Sequence, residues 1–407
     1  MTGGVAVTGI GLLTPAGLDA ESSWQRLCAG RAFAEADPLL AGLPVDFSCP
    51  LTGFDARALF GRKLVARTDR FVHMALAAAT RAVEDAGLST EDIDPCRIGI
   101  VLGVASNSAA SYDAAYGYQL AGDHDLVSPL TMARSLPNMA AGEVAARLGL
   151  FGPNLTITTA CAAGANALGV ARDLIRSGTC DVVLAGGSES ARTRSAALWF
   201  ARLGALSTRR HDPQGASRPF DRDRDGFVLA EGAAVLVLER PEHARARRAG
   251  VQAVISGYGA AGDAHHPTAP HPDGRGIEHA VTAALADAGI TPADIDHVSA
   301  HSTSTPAGDL VEARVLRRVF QGHPPPVTAV KGALGHTLGA AGAVQAAVAV
   351  LSLRHQAIPP TANLDTQDPD IDLDIVTKVP RQQRQRAVLS NSSGFGGANA
   401  ALVVCAP

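Results

Sequence analysis

The sequence predicts an α/β protein assembled from two similar halves, and three observations carry that expectation. Strand-like apolar runs alternate with helix-like stretches along all 407 residues, the pattern of a sheet covered by helices. A ten-residue segment recurs: DAGLSTEDID at 85–94 matches DAGITPADID at 287–296, an offset close to half the chain. Between the two copies, LTITTACAAGANALG at 155–169 passes from a Thr/Ile-rich strand into small, helix-compatible residues, which places Cys161 at a helix start.

Taken in order, 5–9 (VAVTG) predicts a first strand that enters a Gly/Pro turn, and 22–29 a short helix. Residues 30–60 lack a sustained period and read as surface loop. Arg62, Lys63 and Arg67 form a basic cluster of the kind a solvated helix face carries. The repeat comes next. Each copy ends an Ala-rich amphipathic helix (71–86; 277–288) at a glycine suited to a left-handed C-terminal position. Each then opens a turn with a Ser/Thr cap, Ser89 or Thr90 in one and Thr291 in the other, and runs on into a strand, 98–103 or 298–303. A loop at 105–128, a helix at 140–148 and the Cys161 unit follow. Strands are expected at 181–187, 227–239 and 251–259, and a last one over ALVV near the C-terminus. The first half is taken as 1–250 and the second as 251–407.

Composition narrows the chemistry. A net charge of −4 argues against nucleic acid as the main partner. Six cysteines without paired or metal-ligand spacing point to a reducing, cytoplasmic setting and to no structural metal. The N-terminus lacks the basic region of a signal peptide, and apolar runs are interrupted before about 18 residues, so no membrane span is expected.

A thiol at a helix start meets unpaired N–H groups and the positive end of the helix dipole, which favour a thiolate; a free Cys is otherwise an inert core residue. The second half concentrates polar groups beside glycine in three places. His301 lies in AHSTSTPAGD, His336 in KGALGHTLGAAG, and NSSGFGGANA forms a glycine turn before the last strand. A thiol, two imidazoles and backbone N–H groups in glycine turns together suggest acyl transfer.

The chain then resembles a known family along its whole length. VAVTGIG, PNMAAGEVAARLGLFGPNLTITTACAAG, SRPFDRDRDGFVLAEGAAVLVLE, GDAHHPTAP, HSTSTPAGD, KGALGHTLGAAG and NSSGFGGANA occur in the order found in β-ketoacyl-ACP synthases of the condensing-enzyme (thiolase) superfamily. They are closest to the elongating type I/II enzymes and to type II polyketide ketosynthases. The resemblance implies two mixed-sheet halves stacked as a five-layered α-β-α-β-α core, and a dimer. It implies that Cys161 accepts the acyl chain from a carrier-protein phosphopantetheine, with the N–H groups of Cys161 and Phe395 as oxyanion hole. His301 and His336 would stabilise the enolate left when malonyl-ACP loses CO₂, and Lys331, paired with Glu312, would hold them in place. Thr303 and Thr305 match pantetheine-binding positions, Phe395 a gating phenylalanine, and Ser106 the bottom of the acyl pocket. Arg62, Lys63 and Arg67 match the docking site for an acidic acyl carrier protein. No metal or cofactor is implied; His265, His266 and His271 lie in a Pro-interrupted loop that lines the substrate entrance in the family.

Ser302 departs from the pattern, which carries glycine after the first histidine; a Cβ there constrains the turn if its φ is positive. A degradative thiolase would need a second cysteine in the C-terminal glycine turn, where Phe395 stands, and a starter synthase would use Cys-His-Asn. A chain-length factor would lack the cysteine. The reading is therefore decarboxylative condensation in fatty-acid or type II polyketide elongation, by a homodimer or by a ketosynthase subunit that requires a chain-length-factor partner.

Overall fold

The computed structural model describes residues 3–89, 93–106 and 109–407; Thr90, the alternative cap of the first repeat, lies outside them. The strands are β1 (Val5–Leu13), β2 (Glu35–Ala36), β3 (Phe47–Ser48), β4 (Ile98–Gly103), β5 (Asn154–Ile157), β6 (Val182–Ser190), β7 (Glu231–Glu239), β8 (Ala253–Gly262), β9 (His297–Ser299), β10 (Val327–Thr328), β11 (Ala357–Ile358), β12 (Arg381–Gln382), β13 (Ala387–Gly394) and β14 (Ala398–Cys405). The helices are α1 (Ala20–Cys28), α2 (Ala56–Arg67), α3 (Arg70–Asp85), α4 (Ala109–Ala121), α5 (Thr131–Ser135), α6 (Met139–Leu148), α7 (Ala163–Arg176), α8 (Arg194–Arg202), α9 (Pro241–Ala246), α10 (Arg275–Ala288), α11 (Pro306–Val319), α12 (Lys331–Leu334) and α13 (Ala341–His355).

The duplication is built into the sheet. Neighbouring strands run β5-β4-β6-β7-β1 in the first half and β10-β9-β13-β14-β8 in the second. Numbered within its own half, each order is third, second, fourth, fifth, first. The directions match as well: β4 pairs in parallel with β5 and β6, β9 with β10 and β13, and the remaining neighbours are antiparallel. Three residue pairs join the halves edge to edge, Val5↔Ile255, Ala6↔Val254 and Val7↔Ala253.

Side-chain alternation then sets the layers. On β7, Ala233, Val235 and Val237 face α3 and α6, while Ala234, Leu236 and Leu238 face α7 and α13. On β14, Ala400, Leu402 and Val404 face the same central helices, whereas Ala401, Val403 and Cys405 face α10 and α11. The result is α-β-α-β-α, the stacking implied by the resemblance. The stretch Leu338–His355 is apolar and long enough to cross a membrane, yet 89% of it is buried inside the protein; it is the core helix α13 and the turn before it.

Both repeat helices end as expected, with Gly87 at φ +54° and Gly289 at +67°. Three expectations need correction. Residues 30–60 are not simple surface loop, because Leu40, Phe47, Cys49 and Leu51 are buried and the Cys49 N–H donates to the Leu229 carbonyl at 2.8 Å. The loop expected at 105–128 contains α4, whose mixed composition hides the helical period. The strand expected over 298–303 stops at Ser299, since the N–H groups of His301 and Ser302 turn to the Glu312 carboxylate (2.8 and 2.7 Å) instead of a neighbouring strand.

Candidate active site

Beyond β5 the chain makes a 3₁₀ turn, Ala160–Ala162, and then enters α7. Ala160 sits at φ +49°, a left-handed conformation that costs energy in a residue with a Cβ and occurs where surrounding packing enforces it. The turn after β13 lies directly over it: a Cβ on Gly394 would fall 2.7 Å from the Thr159 carbonyl oxygen and 2.9 Å from the Cys161 nitrogen. This close approach brings the N–H groups of Cys161 and Phe395 to bear on one sulfur.

Burial nevertheless governs that sulfur. It pushes the Cys161 thiol up to about 12, and Glu189 adds to the rise, while the Lys331 ammonium and the two N–H groups pull the other way. The expected thiolate is corrected accordingly: at neutral pH the free protein holds a thiol, because desolvation of the anion outweighs the helix start. Its proton must leave as the sulfur attacks.

His301 follows the end of β9, and His336 follows α12. Their rings stand 5.5 Å apart and nearly perpendicular, and Phe227 meets His336 edge-on at 5.2 Å. Burial drives both imidazoles well below the usual histidine range, and the Lys331 charge drives them further; His336 adds to the effect on His301. Both rings are therefore neutral near pH 7, able to donate an N–H without carrying charge.

Lys331 and Glu312 lie behind this wall, 2% and 3% exposed, and they do not pair as expected. Lys331 Nζ donates to the His301 carbonyl (2.6 Å) and to Gln345 Oε1 (2.7 Å). Glu312 accepts from the N–H groups of His301 and Ser302, from Ser302 Oγ (2.7 Å) and from Asn391 Nδ2 (3.2 Å). With its oxygens occupied by the turn, the carboxylate reaches Lys331 only through its longer-range field. Ser302 is not among the residues with positive φ; Ser304 is, at +70°. The serine at 302 thus brings no backbone strain and adds a hydroxyl bond to Glu312.

Cys161, His301, His336, Thr303, Thr305, Phe395 and Ser106 all line one cavity of about 480 Å³, whose wall is mostly apolar and includes Ala109, Trp199, Phe200 and Leu203. Thr303 Oγ1 and Thr305 Oγ1 are 3.1 Å apart. Phe395, 37% exposed, lies 6.3 Å from the Phe200 ring, and the following Gly396 N–H donates to the Pro267 carbonyl at 2.7 Å. The histidine-rich loop serves itself: His266 Nδ1 accepts from the Thr268 and Ala269 N–H groups, and His271 Nδ1 from that of Asp273. Arg62, Lys63 and Arg67 lie apart from the cavity, exposed on α2, with Arg67 paired to Glu143 at 2.7 Å.

Sequence reasoning missed Gln345, Asn391 and Glu189. Gln345 had a visible signal, as a lone amide in the run AAGAVQAAVAV; Glu189, which accepts the Ala105 N–H at 2.7 Å, had none.

Comparison with known proteins adds an independent line. Residues 3–244 match the family described as beta-ketoacyl synthase, N-terminal domain, and residues 252–365 match beta-ketoacyl synthase, C-terminal domain. The chain is 38% identical over 406 residues to a 3-oxoacyl-[acyl-carrier-protein] synthase 2 of Coxiella burnetii, covering 98% of each. Among solved structures, the ishigamide ketosynthase/chain length factor superposes with a TM-score of 0.92 at 36% identity, covering 99% of each chain. A type II PKS acyl-carrier protein in complex with its ketosynthase, bound to the hexaketide, gives 0.92 at 31% identity, again over 99% of each.

Proposed function

The chain belongs to the β-ketoacyl synthase family of condensing enzymes, and we propose that Cys161, His301 and His336 divide its ketosynthase reaction between them. The reaction joins acyl and malonyl thioesters, as a 3-oxoacyl-[acyl-carrier-protein] synthase does. One observation carries the division of roles: a thiol faced by two backbone N–H groups shares a cavity with two neutral imidazoles.

In the first half-reaction Cys161 Sγ loses its proton and attacks the thioester carbonyl. The developing oxyanion is met by the Cys161 and Phe395 N–H groups, and the carrier thiol leaves with a proton. Phe395, on its glycine turn at the cavity wall, moves aside to admit the chain. In the second, malonyl thioester enters along Thr303 and Thr305 and loses CO₂. The electron pair of the broken C–C bond becomes an enolate, whose oxygen accepts the N–H groups of His301 and His336. A cationic imidazole would pass its proton to the carbanion, and the neutral state imposed by burial and Lys331 prevents that loss. The carbanion then attacks the acyl-Cys161 carbonyl, the sulfur leaves as a thiolate and takes up a proton from solvent, and a β-ketoacyl thioester two carbons longer departs.

The acyl carrier is proposed to dock on the exposed α2 cations by charge, hence in a salt-sensitive way, and the six free cysteines suit a cytoplasmic setting. A second copy of the chain is the favoured neighbour. Exposed apolar side chains between β4 and β5, among them Tyr116, Leu120, Met132 and Phe151, each more than half exposed, suit either partner; the other reading, a chain-length-factor partner, draws its support from the paired composition named for one solved relative.

Intact-protein mass spectrometry tests the reading. Acyl carrier proteins bearing different chains are mixed with wild type and with Cys161→Ala, and malonyl carrier follows. Mass gained by wild type alone, then discharged as a two-carbon-longer product, is expected. Equal loading of both proteins would refute the role given to Cys161.

A further inference from the structure

Thr159, the residue before the left-handed Ala160, is held by its side chain as well as by the turn above it. Asn166, in the first turn of α7 and 7% exposed, donates from Nδ2 to Thr159 Oγ1 at 2.7 Å, and its Oδ1 accepts the Tyr258 hydroxyl at 2.9 Å. Tyr258 comes from β8, in the other half. Its ring lies against Gly169, where a Cβ would fall 2.4 Å from a ring carbon, and its N–H donates to Asp287 at 2.9 Å. Asp287 in turn pairs with Arg172 (2.7 Å) and Arg176 (2.9 Å) of α7. The hydroxyl thus has a fixed place, and it fixes the amide.

The other half makes the same crossing without polar side chains. On β1 the residue matching Tyr258 is Ile10, whose N–H donates to Asp85 of the first DAG repeat (2.8 Å) as that of Tyr258 donates to Asp287 of the second. Counted from the left-handed residues Ala160 and Leu338, Thr159 is matched by Thr337 and Asn166 by Val344. Ile10 and Val344 lie buried in the central apolar core. An apolar pair at this crossing is therefore enough for packing, and a hydrogen-bonded pair adds direction more than stability. It stands at the turn that carries the thiol. We propose that Asn166 and Tyr258 are positioning residues for acyl loading: they fix Thr159 and through it the left-handed Ala160, so that the Cys161 N–H stays where the oxyanion forms. This rests on the nucleophilic role proposed above for Cys161. The Thr159 carbonyl accepts the Ala162 N–H at 3.1 Å, so a shift of Thr159 opens the turn, lets the strain at Ala160 relax and swings the oxyanion donor away.

The test compares two reactions of the same sulfur in the full chain. Loading from an acyl carrier protein passes through an oxyanion; alkylation by iodoacetamide, located at Cys161 by peptide mass, does not. Asn166→Leu and Thr159→Val are each expected to slow single-turnover loading by about ten- to a hundredfold. The carrier concentration at half-maximal rate and the rate of alkylation should stay close to wild type. Thr159→Ser keeps the hydroxyl and should restore loading. Tyr258→Phe should slow it less than Asn166→Leu, because the amide bond to Thr159 survives. The double variant Asn166→Leu/Thr159→Val should load no more slowly than Asn166→Leu alone, since both act through one bond. Loading at the wild-type rate by Thr159→Val would overturn the proposal, and so would loading and alkylation that fall together, as in a site merely loosened. Should Asn166→Leu fail to fold, Thr159→Val, altered at a partly exposed residue, decides alone. A wild type that loads from no carrier would refute the proposed function and this inference with it, whereas a wild type matched by Thr159→Val refutes this inference only.

Discussion

The turn that carries Cys161 has a twin. Ala160-Cys161-Ala162-Ala163-Gly164-Ala165 opens α7 in the first half, and Leu338-Gly339-Ala340-Ala341-Gly342-Ala343 opens α13 in the second. Each is entered through a 3₁₀ turn, directly after the third strand in the first half and after α12 in the second, and each turn begins on a left-handed residue, Ala160 at φ +49° and Leu338 at +44°. The helices meet about their glycines. A Cβ on Gly164 would lie 2.8 Å from the Ala343 nitrogen, and one on Gly342 would lie 2.6 Å from the Ala165 nitrogen. Only one turn holds a nucleophile. At the equivalent position, a Cβ on Gly339 would lie 2.2 Å from the Ala105 nitrogen and 2.8 Å from Glu189 Oε2. Duplication thus supplied two launching turns, and packing left room for a reactive side chain at one of them. The second half contributes upstream of its turn instead, through Lys331 and His336.

The sharpest break of this comparison is Cys161→Ala, which should abolish acyl loading while the thermal midpoint stays near wild type. Removing the second half's contribution should divide the reaction differently. His301→Ala and His336→Ala are each expected to slow malonyl decarboxylation by roughly 10²–10⁴ and to leave loading of Cys161 within about tenfold, as quench-flow measurement of CO₂ and acyl-enzyme would reveal.

The glycine crossing offers a structural counterpart. Gly164→Ala and Gly342→Ala should each cost roughly 1–3 kcal/mol by overpacking, with matched losses in chemical denaturation; a large effect in one alone would refute the paired contact.

Two buried acids, one in each half, are held in opposite ways. In the first, burial alone would raise Glu231, but Arg70 (2.6 Å), Arg192 (2.8 Å) and the Leu51 N–H (2.9 Å) hold it at about 2. In the second, burial raises Asp309 to about 7 despite the Phe220 N–H and Arg224. The signs are opposite. Glu231, lowered from 4.5, contributes roughly 3 kcal/mol above its unfolded value, lost as pH falls toward 2. Asp309 withdraws stability as pH rises from its unfolded 3.8 to about 7. Glu231→Gln should flatten the acid limb of stability against pH, and Asp309→Asn the limb between about 4 and 7. The smallest expected effect is that of Ser302→Gly, which removes one hydroxyl bond to Glu312 for about 1 kcal/mol and leaves acyl loading unchanged.

Much of this was legible in the chain. The DAG repeat exposed the duplication because its helix, glycine cap and turn are local features, each dictated by a few neighbouring residues. The same holds for Cys161 before a helix and for histidines beside glycine, whose chemistry depends on residue type and an adjacent turn. Three things were decided only by the tertiary structure. Whether Cys161 is a thiol or a thiolate depends on desolvation, which sums over every atom brought near the sulfur and leaves no mark in the sequence around it. The partners of Lys331 were settled by geometry: Glu312 was spent on the N–H groups of the His301 turn, so a glutamine from a helix fourteen residues downstream received the ammonium. What the connection between the second and third strands became, α11 in one half and α4, α5 and α6 in the other, with Leu120 and Met132 left exposed, rests on packing against the rest of the fold. Local sequence determines which elements form and which groups can react. Charge state, pairing and exposed surface arise from contacts between residues far apart in the chain, and only folding brings those together.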